Sequence, residues 1–349
     1  MTLLGAGGVS RLRRALDAPD LDSDRYRVTE EVGRGGMGAV YLAEDRLLGR
    51  PVALKVLHLE DLSDDGVERM MREAHTLARL EHPGIVPVHD LGRLADGRVY
   101  YAMKLVRGER LDRHVTAATP VAERLGILLK MCEAVGFAHA AGVLHRDLKP
   151  ENVMVGEFGE VLVLDWGVAK WTRAGVGGVE APPGASRDAG ESPPIAAGAG
   201  PLLNAPLATP CGRDTSPGTI LGTPAYMAPE QARGESAGVD ARIDVYGLGA
   251  TLAFLLTGRS PGEPGDPPRP AALAAICARA MAPDPAHRYA SAGELAADVQ
   301  RYLDGSRVLA HREGIAERLG RFIRRHRVAF ALVAAYLVVR AVLWFTLRR

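Results

Sequence analysis

Residues 145–152 read His145-Arg146-Asp147-Leu148-Lys149-Pro150-Glu151-Asn152, and thirteen residues after Asn152 the chain reads Asp165-Trp166-Gly167. Each polar side chain in this set has a role in moving a phosphoryl group. Asp147 can accept a hydroxyl proton, and Lys149 can neutralise charge on the group in flight. Asn152 and Asp165 offer hard oxygen ligands to Mg²⁺ or Mn²⁺. The pattern H-R-D-x-x-x-x-N fixes four positions in eight, and an Asp-x-Gly at this distance makes coincidence a poor account of it.

Such a set needs a second group of residues upstream to hold the nucleotide. The stretch Val32-Gly33-Arg34-Gly35-Gly36-Met37-Gly38-Ala39-Val40 fits G-x-G-x-x-G-x-V from Gly33 onward. Glycine lets backbone approach phosphates closely and adopt turns that a Cβ obstructs. Alone the pattern is weak, because Gly supplies 40 of 349 residues and a flexible hairpin tip would look the same. Its flanks alternate as strands do over 26–32 and 40–43, so the loop joins two strands and does not open a helix as a dinucleotide fingerprint would. Next, Pro51-Val52-Ala53-Leu54-Lys55 is a short apolar strand ending in a cation. The spacing of Met70, Ala74, Leu77 and Ala78 predicts a helix over 67–80 that carries Glu73. A solvated surface pair worth under about 1 kcal/mol is the plain alternative for Lys55 and Glu73. In company with the other motifs, a lysine that holds the α- and β-phosphates and is braced by Glu73 is the better reading.

Together these motifs resemble the eukaryotic-like serine/threonine protein kinases of bacteria, over about residues 26–303. Gly222-Thr223-Pro224-Ala225-Tyr226-Met227-Ala228-Pro229-Glu230 is similar to that family's substrate-facing segment. Asp244 stands where the family has an Asp that braces the catalytic loop. Arg288 stands where it has an Arg that pairs with the Glu of Ala-Pro-Glu, here Glu230. The resemblance implies an α+β, bilobal fold. A small antiparallel-sheet lobe with one helix would cover 25–105, and a larger helical lobe 106–303, together one kinase domain over 25–303. It implies ATP and Mg²⁺ as reactants, with adenine held by backbone near Ala53 and Met103, and proteins bearing Ser or Thr as acceptors. Lys149 and Thr223 resemble the serine/threonine branch. Arg146 resembles relatives whose activation loop is ordered by a bound phosphate, for which Thr215, Ser216 and Thr219 are candidate acceptors. His145, Trp166 and Gly167 take structural or regulatory positions. Autophosphorylation in signal transduction, and a homodimer that phosphorylates in trans, belong to the same implication. The competing class is a pseudokinase, a nucleotide-binding scaffold with negligible transfer.

Three departures from the family pattern stand out. Trp166 replaces the usual Phe with a larger ring whose N–H needs a partner. Lys104 follows Met103 where an acidic residue is common. Residues 259–270 hold five prolines and replace a helix used in substrate docking. The segment 172–218 is an insert of low complexity, with Gly and Pro at 17 of 47 positions, and its composition predicts disorder.

Composition bounds the rest. A net charge of +1 gives no argument for nucleic acid. Cys132, Cys211 and Cys277 lack metal-ligand spacing and suggest a reducing compartment. Residues 1–24 carry no motif and no secretory signal is visible there, so the catalytic part is expected in the cytoplasm. A basic linker over 304–327 precedes 328–347, which is long enough to cross a bilayer and contains eleven Val, Leu and Phe residues. Those contribute roughly −3 to −6 kcal/mol toward insertion, against roughly +2.5 to +3.5 for Arg340. The expectation is a single pass through the cytoplasmic membrane near the C-terminus, with an interfacial or a packed helix as alternatives.

Overall fold

The computed structural model describes residues 25–35, 38–167, 170–171, 224–235, 240–265, 268, 270–312, 314, 332–333, 335–340 and 344. Several expectations lie outside them: the 1–24 extension, Gly36 and Met37, the 172–218 insert with Thr215 and Ser216, then Thr219, Thr223, and most of 328–347. Among the described residues no helix is long and apolar enough to cross a membrane.

The smaller lobe is built on alternation. Five strands, β1 (Tyr26–Arg34), β2 (Gly38–Asp45), β3 (Arg50–Leu57), β4 (Val88–Arg93) and β5 (Val99–Lys104), form one sheet in the order β1-β2-β3-β5-β4, with every neighbouring pair antiparallel. In β3 the even positions Val52, Leu54 and Val56 pack with Tyr26, Ala39, Tyr41 and Ala102 on one face. The period of two sends Lys55 to the other face, toward helix α1 (Asp64–Arg79). Ser63 starts that helix by accepting the Gly66 N–H at 3.2 Å, three residues before the predicted start at 67. The glycine-rich turn is also tighter than its pattern suggested, since the β1–β2 ladder continues through Gly33↔Val40 and Arg34↔Ala39. Gly38 is seated directly on β3, where an added Cβ would lie 2.4 Å from the Val56 carbonyl oxygen.

The larger lobe is mainly helical, with α2 (Val121–Ala140), α3 (Arg242–Thr257), α4 (Ala271–Ala280) and α5 (Ala292–Leu303). Helix α3 is buried on nearly every side from Ile243 to Leu255, and so shows no amphipathic period. Arg124 on α2 is buried and donates to the carbonyls of Thr116, Thr119 and Leu255, tying α2 to the end of α3. The chain leaves α3 through Gly258 at φ +70°, a left-handed position suited to glycine. The described residues between Gly258 and Ala271 form turns and bends without a helix. Cys132 and Cys277 are unbridged, and burial pushes both thiols up to about 12.

Two small strand groups accompany these helices: β6 (Gly108–Arg110), β8 (Val153–Gly156) and β9 (Val161–Val163) in the order β6-β8-β9, and β7 (Val143–Leu144) against β10 (Lys170–Trp171). One core cluster runs across both lobes, from Leu57, Met70 and Tyr101 through Leu128 and Val163 to Leu248 and Leu295. Packing continues past 303. Val308 is buried, and Asp298 accepts the backbone N–H groups of Leu309 and Ala310 at 2.7 and 3.0 Å.

Candidate active site

On the sheet side the site begins with Lys55. Its Nζ donates to both Glu73 oxygens at 2.8 and 2.9 Å and lies 3.7 Å from Asp165 Oδ1. Burial opposes the positive charge on Lys55, but the carboxylates of Glu73 and Asp165 outweigh it, and the net shift of its pKa is upward. Glu73 is buried and takes a third hydrogen bond from the Tyr101 hydroxyl at 2.8 Å. Burial, followed by the charge of Glu73, raises Tyr101 well above the usual phenol value, so the hydroxyl remains a donor. Sequence reasoning missed Tyr101. Its signal was the strand period: Lys55 and Tyr101 are register partners, so both side chains stand on the same face.

On the helical side one buried carboxylate organises the loop. Asp244, in the first turn of α3, accepts the backbone N–H of His145 at 2.8 Å and that of Arg146 at 2.7 Å. Its Oδ2 also meets His139 Nε2 at 2.7 Å. Burial opposes ionisation of Asp244, yet the hydrogen bonds and charges of His139 and its neighbours prevail and hold its pKa below the usual value. These bonds, with Gln231 Nε2 donating to the Arg146 carbonyl at 2.6 Å, fix Arg146 at φ +71°. That conformation costs a non-glycine residue on the order of 1–3 kcal/mol and persists only where the surroundings impose it. Asp165 is the other described non-glycine residue in this region, at φ +61°.

The motif side chains follow from that frame. Asp147 Oδ2 accepts Lys149 Nζ at 2.8 Å and Asn152 Nδ2 at 3.0 Å, while Nδ2 also reaches the Asp147 carbonyl at 2.8 Å. Asn152 in turn accepts the Leu164 N–H at 2.8 Å through its own carbonyl, which ties the loop to the residue preceding Asp165. The Asp147 N–H donates to His145 Nδ1 at 3.2 Å, so His145 carries its proton on Nε2 and gives it to the Leu164 carbonyl at 2.9 Å. The two motifs, distant in sequence, are therefore joined by His145 and by Asn152. Because Asn152 spends its amide N–H₂ on Asp147, its Oδ1 is the atom turned away from that residue. Asp165, half exposed, offers the second hard oxygen. Among the described residues no group of three or more His, Cys, Asp or Glu side chains is gathered for a metal.

Trp166 is buried, its ring centroid 4.6 Å from that of His145, and its Nε1–H finds the Val163 carbonyl at 3.3 Å. The larger ring thus has its donor satisfied. Burial lowers the pKa of Arg146, with Asp244 working against the shift. Arg288 meets Glu230 through two hydrogen bonds, Nη1 to Oε1 at 2.6 Å and Nη2 to Oε2 at 2.8 Å, with both residues buried. Ala53 and Met103 face each other as register partners of β3 and β5. Exposed Val32 and the residues Gly33, Arg34, Gly35, Gly38, Ala39 and Val40 form the β1–β2 turn region, and Gly167 follows Trp166 at a turn.

Residues 26–181 match the protein kinase domain family. The kinase domain of Mycobacterium tuberculosis PknI superposes with a TM-score of 0.57 at 28% identity, over 81% of this chain and 98% of that one. The chain has the fold of a protein kinase domain. Two relatives of that domain extend the likeness. The serine/threonine-protein kinase PknD of Protochlamydia amoebophila is 33% identical over 82% of this chain, and PknD of Chlamydia muridarum is 37% identical over 80%. The chain spans 30% and 32% of the lengths of those two proteins. In the kinase domain the antiparallel sheet of the small lobe and the helices of the large one are the architecture the motifs implied.

Proposed function

We propose that this chain transfers the γ-phosphoryl group of Mg-ATP to Ser or Thr hydroxyls of proteins, its own included. One observation carries the reading: Asp147 is held by Lys149 and Asn152, Asn152 is tied to the strand end before Asp165, and Asp165 lies against Lys55 of the other lobe. In this reading the Asp147 carboxylate orients the acceptor hydroxyl and takes its proton. Lys149 offsets charge on the transferred group, and Lys55, braced by Glu73, holds the α- and β-phosphates. Asn152 and Asp165 fit a hard divalent cation by donor type, and would hold Mg²⁺ with phosphate and water oxygens completing the shell. When bound, the cation supplies charge neutralisation at the phosphates. The glycines of the β1–β2 turn let backbone N–H groups approach the nucleotide. The serine/threonine preference rests on Lys149, on Thr223 and on the kinases to which the chain is similar.

The test is incorporation of label from γ-labelled ATP by the purified chain and by Asp147→Asn. Transfer by the unmutated chain should fall by at least about a hundredfold in the variant, the size of a lost general base, with ATP binding retained. Nucleotide binding without transfer by the unmutated chain would make it a scaffold instead. We also propose that 328–347 attaches the kinase to the cytoplasmic membrane, on the strength of its length and of the basic residues before it. Its described residues, including Leu332, Val333, Tyr336 and Leu337, are exposed. Membrane-fraction protein that resists carbonate extraction supports a span, and release by salt alone overturns it.

A further inference from the structure

His58 stands three residues after Lys55 and just beyond β3, where nothing in the motif set calls for a histidine. It is nonetheless among the most buried polar residues of the small lobe, 5% exposed. Its Nε2 lies 3.1 Å from the carbonyl oxygen of Gly35, and its Nδ1 is 3.5 Å from Arg34 Nη1. A carbonyl only accepts and a guanidinium only donates, so the ring carries its proton on Nε2 and presents a lone pair at Nδ1. We propose that His58 is a positioning residue for the glycine-rich turn: its imidazole latches the turn to the end of the strand that carries Lys55, holding the turn over the nucleotide phosphates.

The latch sits at the β1 end of the turn. On the β2 side the backbone is already fixed, because Gly38 rests against Val56 and Met70 with no room for a side chain. On the β1 side the ladder ends at Arg34. Gly35 is the next residue, and both of its polar backbone groups are engaged, the N–H by the Gly38 carbonyl at 2.9 Å and the carbonyl by His58. A glycine without those bonds samples a wide range of dihedrals, and ordering it is an entropic cost that ATP would otherwise bear on binding. His58 has a second attachment. Its own carbonyl accepts the Asp61 N–H at 3.2 Å in the short turn (Leu59–Asp61) that leads to Ser63 and the start of α1. The turn over the phosphates and the root of the helix bearing Glu73 are thereby joined to one residue. Arg34 is itself held by Glu31, with Nε to Oε1 at 3.0 Å and Nη2 to Oε2 at 2.9 Å, which keeps the guanidinium beside the imidazole.

The inference deepens the proposed kinase reading and rests on it. The experiment compares the full chain with His58→Met, which keeps length and apolar contact without a donor, and with His58→Gln, whose amide N–H₂ reaches about as far as Nε2. Measured quantities are KM for ATP, kcat, and the Kd for a non-hydrolysable ATP analogue and for adenosine. Loss of one net hydrogen bond should raise KM and the analogue Kd roughly three- to tenfold in His58→Met, with kcat changed less. His58→Gln should recover most of the loss. Adenosine has no phosphates for the turn to cover, so its Kd should stay within about twofold in both variants, which a general loosening of the lobe would not allow. Equal ATP affinity in the chain and His58→Met, or an equal loss for adenosine and the ATP analogue, overturns the latch while leaving the kinase reading in place. An unmutated chain that neither binds nor uses ATP sinks both.

Discussion

The Lys55–Glu73–Tyr101 cluster invites a double-mutant cycle, because its three members share one carboxylate in a buried place. Glu73 Oε1 accepts both Lys55 Nζ and the Tyr101 hydroxyl, each at 2.8 Å. Tyr101→Phe removes one donor and leaves the ring to fill its space. A hydrogen bond to a charged group contributes about 1.5–3 kcal/mol, and the lower end applies here because Oε1 keeps its lysine. At about 2–4 °C per kcal/mol for a domain of this size, the melting temperature should drop by roughly 3–6 °C. Glu73→Gln is harsher. The amide leaves a buried ammonium without its main counter-charge, which costs about 3–5 kcal/mol. In that background the Tyr101 hydroxyl still finds a neutral carbonyl, so the second change should cost only about 0.5–1.5 kcal/mol. The cycle therefore predicts a coupling of about 0.5 kcal/mol, read by urea denaturation of the four proteins. Turnover should separate them as well. Tyr101→Phe leaves Lys55 paired and should retain turnover within tenfold, whereas Glu73→Gln frees the lysine and should lose about a hundredfold, the scale of a small misplacement of a reacting group. Losses that add to within about 0.3 kcal/mol, or an unchanged melting temperature in Tyr101→Phe, would refute the shared-carboxylate account.

Two further outcomes follow from buried charges. Arg288→Ala should cost about 3–5 kcal/mol in urea denaturation, because it strands Glu230 and also removes the donor to the carbonyls of Ala282, Pro283 and Arg242. KM for ATP of the protein that remains folded should be unchanged, since the pair makes no hydrogen bond to Lys55, Glu73, Asp147, Asn152 or Asp165. For Asp298, burial opposes ionisation, but the N–H groups of Leu309 and Ala310, the Tyr289 hydroxyl and Arg301 lower its pKa below the ordinary 3.8. A carboxylate depressed in the folded state lends stability that is present above its unfolded value and lost as pH falls through the folded one. Stability should therefore fall below about pH 4, and Asp298→Asn should flatten that acid limb; a limb of unchanged slope would show that Asp298 titrates alike in both states.

What the sequence disclosed and what it withheld divide along a physical line. The motif residues were legible because phosphoryl transfer constrains residue type and spacing together, so Asp147, Asn152, Asp165 and Lys55 stand out before any fold is known. The small lobe was legible through its period of two, and the start and end of α1 moved by only a few residues because Ser63, a local cap, overrode the apolar count. The supporting residues were hidden for the opposite reason. His139, Gln231 and His58 act through hydrogen bonds to partners that only the tertiary fold brings near: His139 and Asp244 are 105 positions apart, and Gln231 and Arg146 are 85. No period or spacing rule encodes a contact of that separation. Helix α3 was legible through the resemblance at Asp244 and not through periodicity, because a helix buried on nearly every side shows no polar face. The strained backbone at Arg146 and Asp165 was equally invisible, yet it marks the two places where the loop must turn its motif side chains toward one another. Residue identity thus announces which chemistry is available, while the polar contacts that aim it are written in pairs, and a pair is readable only once both members have been brought together.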